Sequence, residues 1–152
     1  MITPRVDYIK ELVKPEHQLF HHRIDSCSYN LNRHQLSEIL IRNMFHYDGI
    51  GLSANQIGIW ERVFCMIRDI EHNEIIVCFN PKIVKSYDES IWFEEGCLSF
   101  PGKTINVYRP KKIIVKYEDA DKKRHKMKLD GLASRVFQHE YDHMEGIDFT
   151  QR

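Results

Sequence analysis

A short run near the C-terminus, Gln138 to His143, constrains this chain more than any other feature. His139 and His143 are four residues apart, and Glu140 directly follows the first of them. On a helix, residues four apart lie on one face, so both imidazoles can bind one metal ion. The carboxylate of Glu140 can then reach a water molecule at that ion. The run therefore predicts a helix that carries a hydrolytic metal site, although a solvated helix rich in His and Glu can show the same pattern.

A metal site needs further protein ligands, and Cys97 is the best candidate for the third one. Two imidazoles and one thiolate leave a fourth position open, as a catalytic site requires. The neighbouring Gly96 allows the backbone to approach a ligand closely. By contrast, Cys65 and Cys78 lie in apolar runs typical of strand interiors, where a free cysteine behaves as a small hydrophobic residue. Cys27 lies in a polar stretch and is assigned no role.

A third segment, Gly49 to Gln56, contains two glycines and small residues that let the chain pass close to a substrate. The side-chain amide of Gln56 can donate a hydrogen bond to an oxygen that develops negative charge. Taken alone, the segment is equally typical of a glycine C-cap that ends a helix.

Together, the runs Gly-Ile-Gly-Leu-Ser-Ala-Asn-Gln, Glu-Gly-Cys-Leu-Ser and Gln-His-Glu-Tyr-Asp-His-Met-Glu-Gly closely resemble the three signature motifs of the peptide deformylases, in the family's order. The resemblance extends from about residue 36 to residue 149. Ser53 stands where the family usually has Ala. The chain stops at Arg152, whereas many members continue into another helix, so the resemblance is to the compact, including phage-encoded, members. We expect residues 147–152 to dock as an extended edge.

The resemblance implies a metal-dependent hydrolase of protein biosynthesis that removes the N-formyl group from the initiator methionine of nascent polypeptides and releases formate. It implies Fe²⁺ as the ion, for which Zn²⁺ or Ni²⁺ can substitute. The substrate would be an N-formylmethionyl peptide, met at the ribosome and bound in extended form. The implied site residues are Glu140, Gln56 and Leu98 for catalysis; Cys97, His139 and His143 for the metal; Ile50, Gly51, Phe93, Glu95, Gly96, Leu132 and Val136 for the substrate; and, behind the site, Arg109 paired with Asp142.

Length and composition limit the number of domains, the classes of partner and the cellular compartment that we expect. The 152 residues fit one domain, which we expect to span residues 1–152. Acidic and basic residues number 22 each, so nothing indicates a nucleic-acid or membrane partner. No apolar run approaches the roughly 20 residues of a membrane span, and no targeting segment is evident. With one cysteine better used as a ligand, we expect a reducing compartment: the cytoplasm of a bacterium, or of a host cell if the chain is phage-encoded.

Hydrophobic periodicity predicts an α+β fold in which antiparallel sheets pack around a central metal-binding helix, as in peptide deformylases. Asn32 is expected to cap a helix that ends near Gly49, and a short helix is expected at 6–13. Strands are expected at 62–67, 75–79 and 82–85, with a break at Asn80-Pro81, and again at 90–93. A hairpin is expected from 112 to 129, followed by a helix that begins after Asp130 and stops at Gly146.

Two other classes of protein remain possible from the residues alone. A zinc endopeptidase with the same helix motif needs a third ligand downstream, but only nine residues follow His143. A protein with a structural zinc site usually supplies four protein ligands, and no fourth ligand is paired with these three.

Overall fold

The computed structural model describes residues 7–17 and 21–152, and within them the chain forms two α-helices and seven strands. In chain order these are α1 (Arg33–His46), β1 (Gly51–Ser53), β2 (Val63–Asp69), β3 (Glu74–Ser86), β4 (Ser90–Cys97), β5 (Phe100–Pro110), β6 (Lys112–Glu118), β7 (Arg124–Asp130) and α2 (Gly131–Met144). Two short 3₁₀ turns lie at Ala54–Ile57 and Phe149–Gln151. Neither helix has the length and apolar character needed to cross a lipid bilayer.

The strands form two antiparallel sheets. The larger one has the order β1-β2-β3-β6-β7, and β4 and β5 form a separate two-stranded ribbon. Every pair of neighbouring strands is antiparallel. The α+β architecture with antiparallel sheets around a C-terminal helix is thus the one that the sequence predicts.

Strand β2 shows why the larger sheet has a core on both of its faces. Phe64 and Met66 pack into a cluster with residues of α2, and Val63 and Cys65 pack into a second cluster with residues of α1. Because alternate residues of a strand point to opposite faces, a strand covered on both sides is apolar throughout. Cys65 and Cys78 are fully buried, which confirms their prediction as core residues.

Local signals place both helices where the sequence predicts them. The side chain of Asn32 accepts a hydrogen bond from the backbone N–H of Gln35 at 3.1 Å and so caps α1. Asp130 is the N-cap residue of α2, but its side chain makes no capping hydrogen bond within the described part of the chain. The helix ends at Met144, two residues before Gly146, which adopts a left-handed φ of 74°.

The predicted N-terminal helix is wrong over its described residues, 7–13, while Val6 lies outside them. This segment bonds to other elements instead of to itself. The backbone N–H of Val13 donates to the carbonyl of Gln56 at 2.7 Å, and that of Lys10 donates to the Asn43 side chain at 2.8 Å. The Asn43 amide in turn donates to the carbonyl of Tyr8 at 2.6 Å.

Two further expectations about strands are corrected. Strand β3 continues through Asn80-Pro81, because Asn80 adopts a φ of 50° and a shift of register absorbs the proline. The segment with Cys97 is the end of a strand that turns directly into β5, which the sequence did not predict. Pro101 and Pro110 lie at the two ends of β5 and argued against a strand there, but proline is tolerated in an edge strand such as this one.

The segment after α2 is not the expected extended edge. Asp148 accepts a hydrogen bond from the backbone N–H of Thr150 at 2.8 Å, and Gln151 reaches back to the N–H of Asp148 at 3.0 Å. This capping box closes a 3₁₀ turn. Phe149 is buried by it, and its ring lies 5.3 Å from that of Phe100 and 5.7 Å from the imidazole of His139.

A buried network of charged side chains holds the β4–β5 ribbon against α2. Arg109 of β5 donates two hydrogen bonds to Glu95 of β4, at 2.6 and 3.0 Å, and one to Asp142 of α2 at 2.8 Å. Arg135 donates to Glu95 from α2 at 2.6 Å, and Arg152 donates to Asp142 at 2.6 and 3.0 Å. Each carboxylate therefore has at least two cationic partners, which offsets the cost of burying it.

The guanidinium of Arg109 should be the critical member of this network. Arg109→Met leaves two buried carboxylates with fewer partners and should lower the free energy of unfolding by about 3 kcal/mol. Urea denaturation measures the loss. The control is Arg68→Met, which removes a largely exposed pair with Glu74 and should cost less than about 1 kcal/mol. Equal losses would show that the network does not hold the ribbon.

The buried ring of Phe149 should also be needed for stability. Phe149→Ala should cost about 3 to 5 kcal/mol, since it removes a fully buried aromatic side chain and leaves a cavity beside Phe100. Phe45, which is 49% exposed on α1, provides the matched Phe→Ala control and should cost much less. If both variants unfold at the same urea concentration, the 3₁₀ turn at residues 149–151 contributes nothing to the core.

Candidate metal centre and active-site cavity

Three predicted ligands converge from two elements. Cys97 is the last residue of β4, and His139 and His143 lie one turn apart on α2. Their ligand atoms all lie within 4.8 Å of one another, and the Cys97 Sγ is 3.6 Å from the His143 Nε2. Within residues 7–17 and 21–152 this is the one group of three such side chains placed to hold a metal ion.

The electrostatics of these side chains fit a bound cation. Burial opposes a charge on His139, but hydrogen bonds to Cys97 and Glu95 outweigh it and raise its pKa to about 10. The surroundings of this imidazole therefore favour positive charge. Burial and the charge of His139 hold the pKa of His143 well below its ordinary value, so that imidazole keeps its lone pair. One thiolate and two imidazoles are a donor set that suits Fe²⁺, Zn²⁺ or Ni²⁺.

Glu95 orients the first histidine ligand. Its carboxylate lies 2.9 Å from the Nδ1 of His139. Burial opposes ionisation of Glu95, but hydrogen bonds from His139 and Arg109 lower its pKa to about 2, so the carboxylate is an acceptor. The Nδ1 of His139 is then a donor, and its Nε2 is the nitrogen at which a metal ion would take the place of a proton. Such a carboxylate–histidine pair fixes the ring orientation and raises the basicity of the ligand.

Glu140 lies buried beside the three predicted ligands. Burial raises the pKa of its carboxyl group to about 7, a value suited to proton transfer near neutral pH. Its Oε1 makes no hydrogen bond to any described residue. A Cβ added to Gly51 would lie 2.7 Å from the Glu140 Oε2, so a side chain at this position would displace the carboxylate. Glycine at position 51 therefore gives Glu140 its room.

Gln56 reaches the site from the opposite side. It belongs to the 3₁₀ turn that follows β1 and is 1% exposed. Its Nε2 donates to the Ser99 Oγ at 3.0 Å and lies 3.6 Å from the Cys97 Sγ. The structure thus brings a side-chain amide, a thiol and a buried carboxylate to one place.

These groups open into a cavity of about 750 Å³. Ile50, Phe93 and Leu132 are 42%, 56% and 45% exposed, and they form an apolar mouth that can accept an apolar side chain. The other predicted residues that line the cavity are Gly51, Gln56, Glu95, Gly96, Cys97, Leu98, Val136, His139 and Glu140. Three further predicted residues do not line the cavity and lie buried behind the residues that do: Arg109, Asp142 and His143.

Sequence reasoning missed part of the support for this site. Glu95 was expected to bind substrate, and sequence reasoning did not foresee that its carboxylate pairs with Arg109 and Arg135. Arg135 and Arg152, which complete the network, were not predicted at all. The spacing of Arg135 and His139 was an available signal, because residues four apart on a helix share a face and both contact Glu95.

Comparison with known proteins agrees with this geometry. The family model for polypeptide deformylase matches residues 9–152. Peptide deformylase of Thermotoga maritima is 41% identical over 124 residues, which cover 82% of this chain and 74% of the relative. A crystal structure of peptide deformylase from the same organism aligns with a TM-score of 0.88 at 34% identity, covering 95% of this chain and 97% of that one.

Two other solved structures extend the comparison. A probable peptide deformylase from Synechococcus phage S-SSM7 has a TM-score of 0.83 and 37% identity, covering 93% and 98% of the two chains. A Met-Ala-Ser-bound class I type b peptide deformylase from Acinetobacter baumannii has a TM-score of 0.87 and 27% identity, covering 95% and 98%. The chain therefore belongs to the polypeptide deformylase family, and it is a metal-dependent hydrolase that removes the N-formyl group from nascent polypeptides.

Proposed function

We propose that Cys97, His139 and His143 hold the catalytic metal and that Glu140, Gln56 and Leu98 carry out deformylation beside it. The observation that carries the proposal is the convergence of three candidate ligand side chains with the buried carboxylate of Glu140, whose Oε1 has no hydrogen-bond partner among the described residues, in one cavity. Fe²⁺ is the proposed ion, for which Zn²⁺ or Ni²⁺ can substitute. The chemistry that such an ion supplies is Lewis acidity, which polarises a carbonyl group and acidifies water.

Glu140 is proposed as the general acid–base. Its carboxylate takes a proton from the water that attacks the formyl carbon, and the same proton then passes to the departing amide nitrogen. The C–N bond breaks, and formate and a free α-amine are released. A carboxyl group with a pKa near 7 can both accept and return a proton at the pH of a cell.

Gln56 and Leu98 are proposed to stabilise the charge that forms on the formyl oxygen. The Gln56 Nε2 already points toward Cys97, and the backbone N–H of Leu98 directly follows this residue. Donors placed where charge develops lower the barrier because they need no reorganisation during the reaction.

The apolar mouth suits the methionine side chain of an N-formylmethionyl peptide. Ile50, Phe93, Leu132 and Val136 would contact this side chain, and backbone groups of Ile50, Gly51 and Gly96 would pair with the extended peptide. A cavity of this size has room for several residues of peptide, and the Acinetobacter baumannii relative is described with Met-Ala-Ser bound.

We further propose that residues 1–152 act as one catalytic domain in the cytoplasm on chains emerging from the ribosome.

The decisive experiment is formate release from formyl-Met-Ala-Ser by protein prepared anaerobically with Fe²⁺. We expect turnover that falls on exposure to air, because an iron–thiolate centre is sensitive to oxidation. Acetyl-Met-Ala-Ser is the matched control substrate and should be cleaved far more slowly. Inactivity of well-folded, iron-loaded protein toward the formyl peptide would contradict the proposal.

Cys97→Ser should lose most of the bound metal and most of the activity, because a neutral hydroxyl is a poor replacement for a thiolate. Cys78→Ser, at a buried core position, should keep its metal content near that of the wild type. Metal analysis of both purified proteins makes the comparison. A fully loaded and active Cys97→Ser protein would exclude Cys97 as a ligand.

Glu140→Gln should retain one metal ion per chain and lose at least about a hundredfold in kcat, since the amide cannot accept the proton. Metal content and formate release are measured on the same preparation. Normal turnover by the metal-loaded variant would remove Glu140 from the proposed mechanism.

A further inference from the structure

Ser53, the residue that departs from the family's usual Ala, lies at a junction of two side-chain amides. It is fully buried at the start of the 3₁₀ turn that contains Asn55 and Gln56. Its hydroxyl is 2.6 Å from the Oδ1 of Asn55 and 3.0 Å from the Oε1 of Gln56. The carbonyl ends of both amides therefore face one hydroxyl group.

This arrangement fixes which way the Gln56 amide points. Its Oε1 accepts a second hydrogen bond, from the backbone N–H of Ser53 at 3.0 Å. Turning the amide by 180° would place its NH₂ group against the backbone N–H of Ser53, which can only donate, so the flipped form is disfavoured. The Nε2 is thereby directed toward Ser99 and Cys97, on the side of the cavity where substrate would bind.

Asn55 connects the same hydroxyl to the metal helix. Its Nδ2 donates to the backbone carbonyl of His143 at 2.9 Å, and Asn55 is fully buried. Because Ser53 holds the Oδ1 end of this amide, the NH₂ end faces the helix. The hydroxyl has one proton, which the two carbonyl oxygens share, and it lies between an amide directed toward the metal-binding helix and an amide directed toward the cavity.

We propose that Ser53 is a positioning residue: its hydroxyl holds the Gln56 amide with the Nε2 aimed at the reacting carbonyl oxygen. The inference rests on the proposed role of Gln56 as an oxyanion donor. Ser53 should then affect the chemical step through Gln56, whereas an effect through Asn55 and the helix would persist when Gln56 is replaced. A serine that merely closes the 3₁₀ turn would instead affect stability alone.

A double-mutant cycle of Ser53→Ala and Gln56→Ala separates these roles. In the otherwise wild-type, metal-loaded enzyme, Ser53→Ala should lower kcat about three- to tenfold, the effect of losing one buried hydrogen bond, and leave KM within about twofold. In the Gln56→Ala background, the same substitution should change kcat by less than about twofold. If Ser53→Ala lowers kcat equally in both backgrounds, the inference is overturned. It is also overturned if Gln56→Ala lowers kcat but Ser53→Ala alone does not.

If Gln56→Ala has the kcat of the wild type, both the proposed role of Gln56 and the inference about Ser53 fail. If Gln56→Ala is impaired and the cycle shows no coupling, only the inference about Ser53 fails.

Ser134→Ala is the matched control, since Ser134 is also fully buried and its hydroxyl bonds to Pro110 rather than to the site. This control should keep kcat within about twofold.

A spectroscopic measurement tests orientation without turnover. In ¹⁵N-labelled, zinc-loaded protein, the side-chain NH₂ signals of Gln56 should be sharp in the wild type and shifted or broadened in Ser53→Ala. They should be unchanged in Ser134→Ala. Identical Gln56 signals in the wild type and Ser53→Ala would show that the hydroxyl does not hold the amide.

Discussion

The site depends on one carboxylate, that of Glu95, which joins the ribbon carrying Cys97 to the helix carrying both histidines. It accepts hydrogen bonds from Arg109 within the ribbon and from Arg135 and His139 on α2. A buried carboxylate with so many donors has a strongly preferred position. Since Cys97 is two residues away on the same strand, fixing Glu95 also fixes where the thiol meets the imidazoles.

Close packing provides the second condition for catalysis. Glu140 fits beside the ligands because position 51 carries no side chain, and Val136 also lies within 3.0 Å of where a Cβ would be. The strand that brings Gln56 to the site therefore runs directly against the metal helix. The proposed general base, amide donor and ligands all lie on short, regular elements, which hold them more precisely than loops would.

Features set by neighbours along the chain could be predicted from the sequence. The spacing of His139 and His143 places them on one helical face, and Asn32 signals a cap. The short apolar run of β2 and the β6–β7 hairpin also follow from local pattern. The motifs together indicated the family, and they predicted a set of candidate ligands that the structure brings together. Features set by distant contacts were missed: the segment at 7–13 bonds to Asn43 and Gln56, and β5 exists because β4 pairs with it. The role of Glu95 likewise required knowing which arginines surround it.

The ribbon of β4 and β5 has a consequence for how the ion and the fold are linked. A two-stranded sheet is only marginally stable by itself, so the ribbon's order comes from its side-chain contacts with α2. A cation shared by Cys97 and the two histidines would bridge the same two elements. Its binding free energy is then part of the free energy that docks the ribbon, and free metal concentration becomes a determinant of local order. Removal of the ion should loosen the substrate-binding wall before it disturbs the larger sheet.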